Sequence, residues 1–151
     1  MPHCCIGVDV ITGFPGETKG EYLKTYEFLR ELDVSYLHVF TYSERENTRA
    51  FNITDPVPQK ERQDRSRLLR ILSEKKKRYF YETQKDQIRT VLFEDNMEDG
   101  EMQGYTENYV RVTAKYDPMF TNELKKVRLS ELDKKGNFKV LEIEEYLPIY
   151  K

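Results

Sequence analysis

Tryptophan is absent from this chain of 151 residues, and cysteine nearly so: the two present, Cys4 and Cys5, are adjacent. Adjacent thiols cannot staple separate elements and lack the C-x-x-C spacing of a thiolate metal site, so a disulfide scaffold and a self-contained cysteine-ligated metal centre are excluded. Long apolar runs are missing too. No stretch approaches the roughly 18 residues of a membrane span, and the opening residues lack the charged and apolar regions of a signal peptide; this predicts a cytoplasmic chain without a membrane partner. A complete (β/α)₈ barrel is excluded by count, because it takes roughly 250 residues. What is present is 38% hydrophobic, 34% charged and 13% aromatic, which suits one or two folded domains with a modest core and does not suit disorder.

The net charge of -2 hides a blockwise distribution. Residues 1–57 and 86–151 are each acidic in balance, whereas residues 58–85 carry 10 basic and 4 acidic side chains. Positive charge is thus concentrated in one short segment, and a uniformly basic nucleic-acid binder is excluded.

Three pieces follow from periodicity. Cys5 to Ile11 is a short β-branched run that ends at Gly13-Phe14-Pro15-Gly16, which reads as a buried strand entering a tight loop. Thr18 and Glu21 have capping-box spacing, and behind them Tyr22, Tyr26, Leu29 and Leu32 share one face of a helix that stops near Asp33. Tyr36 to Tyr42 is a second strand, parallel to the first. Such a unit cannot cover both faces of its own sheet, so further strands or helices are expected beside it. After a polar loop, Pro58 opens a helix reaching about Tyr81, with Leu68, Leu69, Leu72, Tyr79 and Phe80 as its apolar stripe and Arg62, Arg65, Arg67, Arg70 and Lys75 to Arg78 on its remaining surface. Beyond Lys85 the period becomes alternating. Ile88 to Phe93, Gly104 to Tyr105, Asn108 to Thr113, Lys125 to Leu132 and Phe138 to Ile143 predict a small closed β-barrel of OB-like size, and no helical segment falls among them.

Three blocks then carry a resemblance. Ile6 to Thr18, with Gly-Phe-Pro-Gly-Glu-Thr at its end, Phe40 to Arg45 followed by Thr48-Arg49-Ala50, and the terminal β segments resemble, in this order, the radical S-adenosylmethionine (SAM) methylthiotransferases and their appended TRAM domain. Gly104 to Val112 and His38-Val39-Phe40 are most similar to the branch that modifies threonylcarbamoyladenosine in tRNA. The chain departs from the family at Thr41, where proline is usual, and at Asn47, where glycine is usual. It also lacks the family's N-terminal domain and three-cysteine C-x-x-x-C-x-x-C cluster site. The resemblance therefore implies an α/β followed by all-β chain: residues 1–85 as the last β/α units and closing helix of a partial radical SAM barrel, and residues 86–151 as an OB-like TRAM barrel.

For the intact enzyme it implies addition of a methylthio group to C2 of N6-threonylcarbamoyladenosine beside the anticodon, with SAM and two [4Fe-4S] clusters, one cleaving SAM to a 5′-deoxyadenosyl radical and one supplying sulfur. The clusters would be ligated outside this chain, which then holds no catalytic and no metal-binding residue and is expected to be inactive alone. The implied SAM-pocket residues are Ile11, Thr12, Gly13, Phe14, Pro15, Gly16, Val39 and Phe40; the same glycines equally serve a tight turn with no ligand. Arg89, Tyr105, Tyr109, Arg111, Lys125, Lys126 and Arg128 are candidates for holding phosphates and stacking bases, and Lys115 accompanies them; a purely structural cap competes. The basic helix suits a phosphate backbone or a solvated outer face alike. Expected partners are a tRNA anticodon stem-loop, the missing N-terminal part of the same enzyme and, for the uncovered sheet, a second copy of the chain. The isopentenyladenosine tRNA branch, the ribosomal-protein branch and a stand-alone non-catalytic RNA-binding module are the alternatives. His38, mid-strand without a second ligand nearby, is expected to be packed and hydrogen-bonded, and Arg45 either pairs with an anion or is solvated.

Overall fold

A computed structural model describes residues 3–140 and the backbone of residues 143 and 144. The chain divides into two compact units, one of Ile6–Tyr79 and one of Met1–Cys5 with Phe80–Lys151.

In the first unit β1 (Gly7–Thr12) and β2 (Tyr36–Thr41) pair in parallel, from Gly7 opposite Tyr36 to Thr12 opposite Thr41. Helix α1 (Lys19–Glu31) connects them. It begins where the sequence places it: the Thr18 hydroxyl accepts from the Glu21 amide, and the Glu21 carboxylate accepts from the Thr18 amide at 2.8 Å. Those hydrogen bonds hold the Glu21 carboxyl below its ordinary range. Alternation along the strands turns Val8, Val10, Leu37 and Val39 toward Tyr22, Leu29, Leu69 and Leu72 of the helices. The opposite face, carrying Asp9, Ile11, His38 and Phe40, is exposed. His38 is accordingly not packed in a core; its ring stands nearly perpendicular to that of Tyr36 on this open face, with centroids 4.9 Å apart. The polar segment after β2 contains one 3-10 turn, Arg49–Asn52.

Helix α2 (Gln59–Thr83) departs from expectation in which face it buries. As far as Arg78 the buried positions are Arg62, Arg65, Ser66, Leu69, Leu72 and Ser73, a regular helical stripe whose first half is polar. Leu68 and Tyr79, read as core from their hydropathy, are exposed. The polar residues are admitted because each finds partners. The Ser73 hydroxyl accepts from the Leu37 amide and donates to the Leu37 carbonyl, both at 2.8 Å. Ser66 and Thr41 hydroxyls meet at 2.6 Å. Lys76 donates to the Leu32 and Arg30 carbonyls at the C-terminus of α1, where a cation is favoured.

The second unit is a curled seven-stranded sheet made of β3 (Ile88–Phe93), β4 (Glu101–Thr106), β5 (Arg111–Lys115), β6 (Leu124–Arg128), β7 (Glu131–Leu132), β8 (Phe138–Lys139) and β9 (Ile143–Glu144). The strand order is β7-β8-β5-β4-β3-β6-β9. Its core holds Tyr81, Val91, Phe93, Met102, Val110, Val112, Val127, Leu129 and Phe138, so the last turn of α2 packs here. Mixed α and β content and a small terminal β domain agree with the sequence. In place of the expected closed barrel the sheet curls into a half-barrel: among the described residues no ladder joins its outermost strands, β7 and β9. Asn108 to Val110, read as strand, is a turn closing the β4–β5 hairpin. The expected long strand from Lys125 to Leu132 breaks after Arg128. A 3-10 turn, Pro118–Phe120, with Asp117 as its cap, interrupts a region read as free of helix.

Candidate functional site

Two surfaces collect the residues singled out above, one in each unit. In the first, the Gly13–Gly16 loop leaves the end of β1. Gly13 and Gly16 adopt φ of 81° and 84°, the left-handed region that glycine enters without strain. Gly13 also lies against helix α2, where an added Cβ would fall 2.4 Å from the Arg62 Cγ. Arg62 is 7% exposed and donates through Nε to the Val57 carbonyl at 2.6 Å, through Nη1 to the Tyr42 carbonyl at 3.3 Å, and pairs with Glu44 at 2.5 Å. Its hydrogen bond holds the Glu44 carboxyl below the usual carboxylate range. The Phe14 ring meets Tyr42 edge-on at 5.2 Å, and the Arg62 guanidinium stands 5.5 Å from the Tyr42 centroid.

Arg65 is 5% exposed and works alongside. It donates to the Glu17 carbonyl at 2.9 Å, to the Glu17 carboxylate, and to Glu61 at 2.5 Å, with its guanidinium over the Tyr22 ring. The same Glu17 oxygen accepts from the Gly13 amide at 2.8 Å and from the Thr12 hydroxyl at 3.4 Å. Arg62 and Arg65 were expected on the helix surface, and this is the physical reason they are inside: each inward guanidinium is matched by carboxylates and carbonyls.

The eight residues proposed for SAM are not all on one surface. Ile11 and Phe40 are register partners, 61% and 52% exposed, on the open sheet face. Thr12 and Val39 lie on the helix-covered face. Gly13 and Pro15 are buried, and Phe14 and Gly16 are exposed at the loop. The loop amides of Gly16 and Glu17 are engaged by the carbonyls of Asp55 and Phe14, each at 2.9 Å. The Phe14 amide has no partner among the described residues. An exposed aliphatic and aromatic pair beside a loop with one unengaged donor fits a flat, apolar ring with a polar edge such as adenine.

Metal is another matter. Among the described residues no group of three His, Cys, Asp or Glu side chains is placed to hold an ion, and Cys4 is exposed and Cys5 half-buried, neither in a disulfide. No cluster chemistry is assigned to them.

In the second unit, strand register sorts the seven RNA candidates. Tyr105 pairs with Arg111 across β4–β5 and with Leu92 across β3–β4, and Leu92 pairs with Leu124 across β3–β6. Partners in register share a face, so Arg111, Tyr105, Leu92 and Leu124 form one row across four strands. Lys126 and Arg128, two and four residues beyond Leu124, lie on that same face. Tyr109, at φ 67° in the β4–β5 turn and 66% exposed, places its ring 5.4 Å from Tyr105, and the Arg111 guanidinium is 5.9 Å from the Tyr105 centroid. Arg89 and Lys125 belong to the other face. Arg89 donates to Gln84 at 2.8 Å and pairs with Glu107 at 3.6 Å, and Lys125 sits 5.3 Å from the Phe120 ring. Leu92 and Leu124 went unnoticed in the sequence; their signal was a position out of phase with the buried residues of β3 and β6.

No family model matches the chain. Curated relatives do. The chain is 38% identical to the threonylcarbamoyladenosine tRNA methylthiotransferase MtaB of Aquifex aeolicus over 112 residues, covering 74% of this chain and 26% of that protein. It is 32% identical to MtaB of Bacillus subtilis over 133 residues, covering 85% and 30%. A tRNA-2-methylthio-N(6)-dimethylallyladenosine synthase of Protochlamydia amoebophila is 42% identical over 72 residues, covering 47% and 16%. The chain is thus a homologue of the radical SAM methylthiotransferases, as its loop motif and terminal β segments suggested. Within that family its similarity runs mainly to proteins named MtaB. The chain spans less than a third of the length of these relatives. Among the described residues no helix is long and apolar enough to cross a membrane.

Proposed function

We propose that this chain is the C-terminal portion of a tRNA methylthiotransferase, whose intact form adds a methylthio group to C2 of N6-threonylcarbamoyladenosine next to the anticodon. Residues 1–85 act as the last β/α units of the radical SAM barrel and contribute part of the SAM pocket, and residues 86–151 act as the TRAM domain that handles the anticodon stem-loop. SAM and the two clusters, ligated by other parts of the intact enzyme, supply the radical and sulfur chemistry when bound. This chain's own residues bind and orient.

The observation that carries the reading is the open sheet face with Ile11 and Phe40 paired beside the Gly13–Gly16 loop. Helices cover the other face, as on the outside of a barrel, so the open face corresponds to a barrel interior where ligands sit at the C-terminal strand ends. The row of Arg111 and Tyr105 with Leu92 and Leu124, joined by Tyr109, Lys126 and Arg128, supports the RNA half: aromatic and apolar side chains for unstacked bases, cations for phosphates. Naming of the relatives favours threonylcarbamoyladenosine over dimethylallyladenosine as the modified nucleoside.

The test is fluorescence anisotropy of a labelled anticodon stem-loop with the full chain across a range of salt. The reading expects binding whose log affinity falls with log salt, despite the acidic total charge, because the Debye length of about 8 Å at physiological ionic strength screens distant acidic blocks. Absence of binding at low salt contradicts it.

A further inference from the structure

We propose that Arg65 is a positioning residue for the adenosyl ligand: through Glu17 it holds the Gly13–Gly16 loop in the one arrangement that leaves the Phe14 amide available. The inference rests on the reading of this loop as part of a SAM pocket and assigns to helix α2 a task in that pocket.

Arg65 has no freedom of orientation. Its guanidinium is tied to the Glu17 carbonyl, the Glu17 carboxylate and Glu61, and rests over Tyr22, whose hydroxyl donates back to the Arg65 carbonyl at 3.1 Å. A planar fork held at several points fixes its partners in turn, which a lysine ammonium cannot do. The partner that matters is one carboxylate oxygen of Glu17. It receives Arg65, the Gly13 amide and the Thr12 hydroxyl together, joining the end of β1, the start of the loop and helix α2 at a single atom. With Gly13 secured there, Gly16 on Asp55 and Glu17 on Phe14, the Phe14 amide is the loop donor left over. Ile11, three residues before it in the chain, and its register partner Phe40 form the exposed apolar pair. Were Glu17 released from Arg65, its carboxylate would be free to leave Gly13, and a second loop amide would compete for the ligand or the loop would refold around it. A structural role alone would keep the unit folded; a positioning role sets which amide meets the ligand.

The full chain, labelled with ¹⁵N, is titrated with S-adenosylmethionine into the millimolar range, following the Phe14 amide, for the wild type, Arg65→Lys and Glu17→Gln. Hydrogen exchange of Gly13, Leu69 and Leu72 amides is measured without ligand. We expect a saturable Phe14 shift in the wild type, an affinity lower by about tenfold in both variants, faster Gly13 exchange in both, and unchanged exchange at Leu69 and Leu72. The double variant should lose no more than either single one, since both break the same link. If the wild type binds and Arg65→Lys and Glu17→Gln bind equally well, Arg65 does not position the loop. If Gly13 exchange quickens while affinity holds, its role is structural only and the proposal is overturned. Absence of any wild-type shift instead overturns the reading of the loop as a SAM site, and the proposal with it. An Ile11→Ala variant that weakens binding without touching Gly13 exchange supports the pocket independently of Arg65.

Discussion

Gly13 and Gly16 share nearly the same backbone conformation but not the same surroundings, and the difference is measurable. At Gly16 an added Cβ meets nothing within 4 Å, so Gly16→Ala is charged only the left-handed backbone, roughly 1–2 kcal/mol. At Gly13 the same Cβ strikes Arg62, and Gly13→Ala adds overpacking of about 1–3 kcal/mol. Urea unfolding is expected to rank Gly13→Ala clearly below Gly16→Ala; equal losses would mean that Arg62 does not press on the loop. A second residue-scale outcome concerns Tyr81. Burial pushes its phenol above the ordinary 10.0, although the Arg111 amide donates to its oxygen. A group whose folded pKa is raised contributes stability that is complete below its unfolded pKa and lost as pH climbs through the folded value. Stability should therefore begin to fall above about pH 10, less steeply in Tyr81→Phe, and absorbance titration should show Tyr22 and Tyr81 as late tyrosines, of which the variant lacks one. The capping pair Thr18 and Glu21 was legible because both partners lie within one turn. The Glu17–Arg65 link was not, because its partners lie 48 residues apart and charge alone assigns both to the surface.

At the scale of elements, strands and helices were read where apolar residues mark the period, and misread where polar residues occupy the buried stripe. Helix α2 shows the reason. Its inner face runs Arg62, Arg65, Ser66, Leu69, Leu72, Ser73, so a stripe sought by hydropathy slides toward Leu68 and Tyr79, which face solvent. Strand β6 is the converse case. Three cations close in sequence look like one patch, but alternation puts Lys125 on one face and Lys126 and Arg128 on the other. If the outer row meets RNA, Lys126→Gln with Arg128→Gln should flatten the salt slope of stem-loop binding by about 0.7 for each lost phosphate contact, whereas Lys125→Gln should leave it nearly unchanged. Tyr109→Ala should weaken binding by about 1–3 kcal/mol with the slope preserved, as loss of a stacked base does. A triple pattern in which Lys125 dominates would move the RNA to the opposite face.

For the whole molecule, the sequence gives a boundary through charge and periodicity near residue 85, and the compact units part at Tyr79 and Phe80 because Tyr81 belongs to the β core. Closure of the barrel is not legible in the sequence: short strand segments do not say whether their outermost members meet. The uncovered face of β1 and β2 has a consequence for the isolated chain. Ile11 and Phe40 expose apolar surface, so sedimentation should show association that grows with concentration, and Ile11→Ser with Phe40→Ser should shift the chain toward monomer. A strict monomer at all concentrations would count against the proposed barrel neighbours on that face. The central claim, that this homologue of the methylthiotransferases presents RNA with the outer row of its β unit, is tested most directly by a ¹⁵N chemical-shift map of the full chain with an anticodon stem-loop at low salt. The account expects the largest shifts at Leu92, Tyr105, Tyr109, Arg111, Lys126 and Arg128. Saturating RNA that moves none of these amides, or moves only those around Arg89 and Lys125, would contradict it.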